Sequence, residues 1–192
     1  MNKGGVLVVD NFLEQKWEIV GKSGKIFLIL PTGKVPERKT EMVKFIGEYA
    51  SKLDEKGRVV VPAAFKNLVA KHIGEGEISF VIKKDLFANC LNMFTYEQWD
   101  QESEQVRSRL NLYKEEHARW YREYTMDRAL VTLDGKVGRI IIPKNLLSKI
   151  GADKEIVFSG SDFKIEIWAK EKFGKDRMNE DEFTNLTEKL LG

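Results

Sequence analysis

Two short runs of β-branched residues are the clearest elements in the hydrophobic pattern of this chain. Residues 59–61 are three valines, residues 140–142 are three isoleucines, and a proline follows each run. Continuous apolar runs of this length predict strands that are buried on both faces. Proline ends a strand and is favoured in the first turn of a helix, so a short helix is predicted after each run.

Both runs belong to a longer internal repeat. Residues 53–62 and 133–143 share the order Leu-Asp, polar turn, Gly-Arg, three β-branched residues and proline, about 80 residues apart. Each proline is followed by a helical stretch, a glycine (Gly74 or Gly151) and two strand-like runs, at residues 78–82 and 90–94 or at 156–158 and 164–168. The predicted order in each copy is strand, turn, strand, short helix, strand, turn, strand. The predicted fold class is therefore mainly β with short helices (α+β).

A long polar stretch, residues 96–124, separates the two copies. Its apolar residues recur at intervals of three, four and seven, from Trp99 through Val106 to Tyr124. That spacing predicts an amphipathic helix, or two helices broken near Asn111. Packing of the apolar stripe against the strands is the simpler interpretation, and a role at a subunit interface is the alternative.

The remaining residues lie outside the repeat. Residues 6–9 and 26–30 are predicted to form a hairpin in an N-terminal extension, which a start codon assigned upstream of Met42 would also explain. The charged C-terminal tail is predicted to be helical or loose. The chain is thus divided into an extension (1–41), a first module (42–95), a helical linker (96–125), a second module (126–175) and a tail (176–192).

The Asp-x-x-Gly-Arg turn at residues 54–58, its counterpart at residues 134–139, which is longer by one residue, and the flanks of both resemble the MraZ family of bacterial transcriptional regulators. The resemblance extends from about residue 42 to residue 172. The residues that carry it are Glu48, Tyr49, Leu53, Asp54, Gly57, Arg58, Pro62, Trp99 and residues 89–91 and 165–168. A single turn of this kind would be weak evidence, whereas two turns with matching flanks around a helical linker are specific.

That resemblance implies an architecture and a function. It implies two SpoVT-AbrB-like swapped-hairpin modules that form one pseudo-twofold barrel, and assembly of the chains into a ring-shaped homo-oligomer. It also implies sequence-specific binding to double-stranded DNA, at promoter repeats upstream of the division and cell-wall gene cluster. The conserved arginine turns of the family correspond to Arg58 and Arg139, which are therefore implied as DNA contacts.

Charge neither requires nor excludes such a partner. Lys and Arg number 32 against 30 Asp and Glu, for a formal net charge of +2, so a DNA-binding surface would need local positive charge. Such charge is present at the turns, with Lys52, Lys56 and Arg58 in the first module and Lys136 and Arg139 in the second. A planar guanidinium can bind a guanine edge or a phosphate through two hydrogen bonds. A ring that meets several DNA repeats would gain affinity through effective concentration.

The same turns also have a purely structural interpretation. Asp54 and Asp134 can cap them, Gly57 and Gly138 can supply a positive φ, and Arg58 can pair with Asp54. We expect this structural role for the two aspartates and the two glycines.

Two further expectations concern the neighbouring hairpins. The second turn has one more residue between Asp and Gly than the first, and a longer turn changes the twist of the hairpin and the direction of Arg139. Lys83 and Lys84 are expected to form a solvated hairpin tip.

Other chemistry has no support in the sequence. The single cysteine, Cys90, has no disulfide partner, and neither it nor His72 nor His117 has metal-ligand spacing. Residues 21–23 end like a phosphate-binding loop, but Lys16 occupies the position of the required first glycine. No pair of carboxylates stands out as an acid–base couple. We therefore expect no enzymatic activity, cofactor, metal or small-molecule substrate.

The expected location is the cytoplasm, in association with the nucleoid. No apolar run approaches the roughly 18 residues that are needed to cross a membrane. The apolar stretch after Val6 ends at Asp10 and is too short for a secretory signal. A membrane partner is not expected.

Three functional hypotheses remain. The first is a ring-forming, sequence-specific DNA-binding regulator that uses the arginine turns. The second is an AbrB-like or antitoxin-like dimeric DNA binder with the same module. The third is a ring-shaped interaction scaffold without DNA binding, which the altered second turn keeps open. Salt-sensitive DNA binding would separate the third hypothesis from the first two.

Overall fold

The computed structural model describes residues 18–22, 25–29, 43–74, 76–135, 137–175 and 177–192. The chain divides into two units, Met1–Glu41 and Met42–Gly192. In the first unit, strand β1 (Glu18–Lys22) pairs antiparallel with strand β2 (Lys25–Ile29).

This hairpin corrects the predicted pairing of the N-terminal extension. Strand β2 was predicted, at residues 26–30, but its partner is residues 18–22, and residues 6–9 lie outside the described residues. A partner that is adjacent along the chain costs less loop-closure entropy than a distant one. Gly21 and Lys22, from the stretch that ends like a phosphate-binding loop, are strand residues.

In the described residues of the second unit, eight further strands form two antiparallel sheets. They are β3 (Phe45–Lys52), β4 (Arg58–Val60), β5 (Ser79–Lys84), β6 (Leu91–Thr95), β7 (Arg128–Thr132), β8 (Arg139–Ile141), β9 (Glu155–Asp162) and β10 (Lys164–Ala169). Six of them form one sheet in the order β3-β9-β10-β6-β5-β7, and the other two form the β4–β8 ribbon. Within the described residues, backbone pairing does not join the ribbon and the sheet into a closed barrel.

The strand pairing interleaves the two copies of the repeat. Strand β3 of the first copy pairs along its whole length with β9 of the second, from Phe45 opposite Asp162 to Lys52 opposite Glu155. Strands β5, β6 and β4 of the first copy pair with β7, β10 and β8 of the second. Within a copy, β5 pairs with β6 and β9 pairs with β10. Each copy therefore depends on the other for most of its strand partners.

Five helices lie in the described part of the chain, which makes the fold mixed α+β, as predicted. They are α1 (Ala63–Ile73), α2 (Tyr96–Ser108), α3 (Glu115–Thr125), α4 (Lys144–Ile150) and α5 (Glu180–Leu191). Pro62 and Pro143 are the N-cap residues of α1 and α4, so the predicted helix after each proline is confirmed. The linker contains two helices rather than one. Between them, the backbone N–H of Asn111 donates to Nδ1 of His117 (3.0 Å).

The triple β-branched runs are buried on one face only, so the prediction of burial on both faces is wrong. In each run the first and third residues are buried, whereas the middle residues, Val60 and Ile141, are 48% and 58% exposed. Successive side chains of a strand point to opposite faces, and in the ribbon only one of those faces meets the core. A run of three residues is too short for its sequence to distinguish the two patterns.

One large apolar cluster joins the ribbon, α1 and α4 to the six-stranded sheet. Its members include Val59 and Ile140 of the ribbon, Phe65 of α1, and Phe80 and Phe158 of the sheet, none more than 1% exposed. These residues come from both copies of the repeat. Burial of apolar surface, the main favourable term in folding, therefore favours the interleaved arrangement directly.

A smaller cluster holds the linker helices on the other face of the sheet. It joins Val81 of β5 and Phe94 of β6 to Trp99 of α2 and Tyr124 of α3. The rings of Trp99 and Tyr124 stack with their centroids 6.1 Å apart. The linker stripe thus packs against strands, whereas Tyr113, between α2 and α3, is fully exposed.

Lys83 lies within this smaller cluster, so the prediction of a solvated tip at Lys83 and Lys84 is wrong. Lys83 is 5% exposed, and its Nζ lies 3.5 Å from the ring centroid of Tyr124 and 5.4 Å from that of Trp99. Nζ of Lys84 donates to the carbonyl oxygen of Asp85 (3.3 Å). Strand alternation places Lys83 on the face that the linker helices cover, which its sequence neighbours do not reveal.

Gly160 sets how closely β3 and β9 approach. A Cβ at this position would lie 2.5 Å from the carbonyl carbon of Phe45 and 2.6 Å from the backbone nitrogen of Ile46. We expect Gly160→Ala to push the two strands apart and to lower the free energy of unfolding by about 1–3 kcal/mol, as overpacking does elsewhere. Chemical denaturation measures the change. Gly135→Ala is the matched control, because no neighbouring heavy atom lies within 4 Å of its Cβ position. Equal losses from both variants would contradict the close approach.

Burial of Lys83 predicts a stability that rises with pH. Burial is the main cause that lowers the pKa of Lys83 from 10.5 to about 8, while the carboxylates of Glu102 and Asp85 act in the opposite direction. Between these pKa values the unfolded state binds more protons than the folded state. We therefore expect Lys83 to contribute an increase in stability of about 1.5 kcal/mol between about pH 8 and about pH 9.5, measured by urea denaturation over a pH series as the difference between the wild type and a variant without this charge.

The control for this prediction is Lys83→Met, which keeps a long side chain without the charge. We expect this variant to lose the rise with pH, and to be more stable than the wild type near neutral pH because no charge is desolvated. A variant that kept the wild-type pH profile would assign the rise to another group.

Candidate nucleic-acid interface

The first arginine turn is organised by the side chain of Asp54. Its Oδ1 accepts hydrogen bonds from the backbone N–H groups of Lys56 and Arg58 (2.9 Å each), and its Oδ2 contacts Nε of Arg58 at 2.6 Å. The backbone N–H of Arg58 is the main cause that lowers the pKa of Asp54, and the Arg58 side chain adds to the effect. Asp54 therefore caps the turn as a carboxylate and holds one edge of the guanidinium. This geometry is the one that the structural interpretation of the turn predicted.

Gly57 lets this turn meet the other copy of the repeat. It has a φ of +78°, and a Cβ at this position would lie 2.5 Å from the carbonyl oxygen of Ile142. The N–H of Ile142 donates to the carbonyl of Gly57 (2.9 Å). In the second turn, Gly138 has a φ of +74° and accepts from the N–H of Val61 at 2.9 Å. Each turn is thus bound to the strand that follows the opposite turn.

The second turn closes with the same backbone hydrogen bond as the first, although its sequence has one more residue. The N–H of Asp134 donates to the carbonyl of Arg139 (2.7 Å), as the N–H of Asp54 donates to that of Arg58 (3.0 Å). The backbone hydrogen bond from Asp to Arg that closes the turn is therefore present in both copies. The side chains differ, because Nη2 of Arg139 lies 4.0 Å from Oδ2 of Asp134. The longer turn leaves the Arg139 side chain less tightly held than that of Arg58.

Both arginines lie on the exposed face of the β4–β8 ribbon. Arg58 is opposite Ile141 and Arg139 is opposite Val60, while Val59 and Ile140 face the core. The two arginine side chains are 41% and 38% exposed. Since they are diagonal neighbours across an antiparallel pair, their Cα atoms are about 7–8 Å apart. The structure therefore brings together two residues that are far apart in the sequence.

Two of the three lysines that were predicted to contact DNA lie within the described residues. Lys56 is exposed within the first turn, and Lys52 is exposed at the end of β3, opposite Glu155. Glu155 binds Nζ of Lys170 at 2.7 Å, so the charge around Lys52 is mixed. Lys136 lies outside the described residues.

Lys66 of α1 is a basic residue at the second turn that the sequence analysis missed. A Cβ at Gly138 would lie 2.9 Å from Cδ and 3.2 Å from Nζ of Lys66. The corresponding neighbour of Gly57 is Leu147, whose Cδ1 lies 3.4 Å from the Cβ position. Alignment of the two copies could have identified Lys66, because Lys66 and Leu147 both stand four residues after the proline of their copy. Positive charge at the second turn thus comes partly from the first copy.

The remaining reactive side chains are buried or have local partners. Cys90 is buried, and burial raises its pKa to about 12. Nε2 of His72 lies 3.1 Å from Oε2 of Glu97, and His117 accepts from a backbone N–H in the linker. Among the described residues, no group of three or more His, Cys, Asp and Glu side chains is arranged to hold a metal ion. No helix in that part of the chain has both the length and the apolar character to span a membrane.

Comparison with known proteins identifies the family of this chain. Residues 126–192 match the family model described as "MraZ protein, putative antitoxin-like". A protein named transcriptional regulator MraZ from Bacteroides fragilis is 36% identical over 150 residues, which are 78% of this chain and 92% of the relative. The protein of that name from Christiangramia forsetii is 36% identical over 79% of this chain and 95% of its own. The one from Lachnoclostridium phytofermentans is 39% identical over 67% and 84%. The chain belongs to the MraZ family.

Proposed function

We propose that the chain is a sequence-specific DNA-binding transcriptional regulator that acts by binding and not by catalysis. The observation that carries the proposal is the pair of arginines on the exposed face of the β4–β8 ribbon. The relatives bear the name transcriptional regulator, which supports the same function. Arg58 and Arg139 are the proposed contacts, assisted by Lys52, Lys56, Lys136 and Lys66.

Arg58 is prepared for such a contact by its own turn. Asp54 holds Nε of Arg58 at 2.6 Å, and no hydrogen bond from the terminal guanidinium nitrogens of Arg58 is found within the described residues. The guanidinium group, with its two terminal nitrogens, is therefore oriented before binding, which reduces the side-chain entropy that binding would cost. A two-stranded ribbon fits the major groove, where an arginine can donate twice to guanine.

The proposed architecture is a pair of AbrB-like swapped-hairpin modules related by a pseudo-twofold axis. The modules are residues 42–95 and 126–175, joined by the linker 96–125, with the extension 1–41 and the tail 176–192 outside the pair. The strand order supports this proposal. Exchanging each strand for its counterpart in the other copy turns β3-β9-β10-β6-β5-β7 into the same order reversed.

The proposed working form is a ring-shaped homo-oligomer on promoter repeats upstream of the division and cell-wall gene cluster, associated with the nucleoid. The resemblance of the chain to its family is the basis for the ring and for the target. Two arginines per chain give weak binding to a single site. A ring that engages several spaced repeats converts later contacts into intramolecular ones, with a higher effective concentration.

We expect Arg58→Ala to weaken binding to a duplex from the region upstream of the gene that encodes the chain by about tenfold or more, because a bidentate arginine contact is lost. Loss of a contact to phosphate would also reduce the dependence of log affinity on log salt by about one. Fluorescence anisotropy over a salt series measures both effects.

Arg107→Ala is the matched control for that substitution. Arg107 is 53% exposed and also pairs with a carboxylate, Glu104 at 2.9 Å, but it lies on α2. We expect its removal to leave the affinity within about twofold, since screening makes a distant surface charge weak. If neither the wild type nor the variants prefer this duplex to a random one, sequence-specific regulation is wrong and a scaffold role explains the fold better.

The proposed ring predicts the mass of the homo-oligomer in solution. Sedimentation velocity should give one closed species of more than two chains, because a head-to-tail interface that closes forms a ring. Affinity should increase steeply with the number of DNA repeats in the duplex. A dimer whose affinity does not depend on the number of repeats would favour the AbrB-like or antitoxin-like alternative.

A further inference from the structure

The exposed face of the β4–β8 ribbon presents two aliphatic side chains, each opposite one of the two arginines. Val60 is 48% exposed and pairs with Arg139, and Ile141 is 58% exposed and pairs with Arg58. Directly opposite side chains on such a ribbon have Cβ atoms about 4.5–5.5 Å apart. Each arginine therefore has an aliphatic neighbour on the same surface, in both copies of the repeat.

The core does not account for these two side chains. Their neighbours Val59 and Ile140 supply the buried contacts of the ribbon, at 1% exposure each. The outward face of an antiparallel pair with one buried face is usually polar. Here it is half apolar and half cationic, and the apolar half lies next to the residues proposed to contact DNA.

We propose that Val60 and Ile141 contact the 5-methyl groups of thymines in the major groove, beside the groups that Arg58 and Arg139 bind. This inference rests on the proposed DNA binding and names a further pair of residues that determine its specificity. The thymine methyl is the apolar group among the hydrogen-bonding edges of the major groove. An aliphatic side chain placed there buries surface against thymine, whereas against the amino group of cytosine it would leave a donor unsatisfied.

The ribbon geometry allows an arginine and an aliphatic side chain to act on adjacent base pairs. The spacing of opposite side chains, about 5 Å, lies between one and two base-pair steps of about 3.4 Å each, a difference that the long arginine side chain can span. The pairing of Arg58 with Ile141 and of Arg139 with Val60 repeats this combination twice. Each half of the ribbon would thus favour a thymine next to the base or phosphate that its arginine holds.

The test replaces thymine by uracil, which lacks only the 5-methyl group, in the duplex that the wild type binds. Fluorescence anisotropy should show about a fourfold loss of affinity for each methyl group contacted, the value expected for one buried carbon of this kind. This measurement uses the unaltered protein, so its outcome does not depend on how a variant folds. Equal affinity for the thymine and uracil duplexes would overturn the inference while leaving DNA binding in place.

The second arm uses a double variant, Val60→Ala with Ile141→Ala. We expect it to bind the thymine duplex more weakly by the same factor and to bind the thymine and uracil duplexes equally. Ile46→Ala is the matched control, because Ile46 is a 74% exposed aliphatic residue near the start of β3, at the far end of that strand from the first turn. It should keep the full sensitivity to uracil.

The two arms separate the possible failures. A double variant that stayed as sensitive to uracil as the wild type would show that other residues contact the methyl groups, and would overturn the inference. A wild type that did not prefer the thymine duplex to a random one would overturn the proposed function, and the inference with it.

Discussion

Each arginine turn depends on a hydrogen bond from the other copy of the repeat. The N–H of Ile142 donates to the carbonyl of Gly57, and the N–H of Val61 donates to that of Gly138, both at 2.9 Å. These bonds continue the β4–β8 pairing beyond its last paired residues, so the turns and the ribbon form as one unit. The large apolar cluster acts in the same direction, since its members also come from both copies. The placement of Arg58 is therefore a property of the interleaved fold and not of its turn alone.

Much of this fold could be predicted because the repeat shows the same pattern twice. The strand-proline-helix succession, the paired runs after each glycine, and the break at Asn111 all follow from local rules of spacing and backbone geometry. The errors concern partners that lie far away in the sequence. The depth of burial at Val60 depends on whether a second layer covers the ribbon, and three valines in a row look the same in either case. Lys83 shows the same limit, because only the packing of Trp99 and Tyr124 makes its position an interior one.

The residues of the candidate site also divide into those that local sequence predicts and those whose position depends on partners far away in the sequence. Arg58, Asp54 and Gly57 lie within five residues. The chemistry of a capped turn predicts the structural roles of Asp54 and Gly57, whereas the resemblance to the family is what implies Arg58 as a DNA contact. Their arrangement with Arg139 on one face needed the register of β4 against β8, which no local pattern contains. Lys66 was missed for a related reason. Its charge reaches Gly138 from the helix of the first copy, so a search for basic residues near the second turn in the sequence could not find it.

Two copies in one chain also permit a difference that two identical chains could not have. In a symmetric dimer, any change to one turn is made in both. Here the first turn has Leu147 as its neighbour and an Asp–Arg contact of 2.6 Å, whereas the second has Lys66 and a contact of 4.0 Å. The backbone closure is nevertheless the same in both turns, because the hydrogen bonds between copies constrain the main chain and leave the side chains free to differ. The longer second turn thus keeps the backbone hydrogen bond between Asp134 and Arg139, whereas the contact between their side chains differs from that of the first turn.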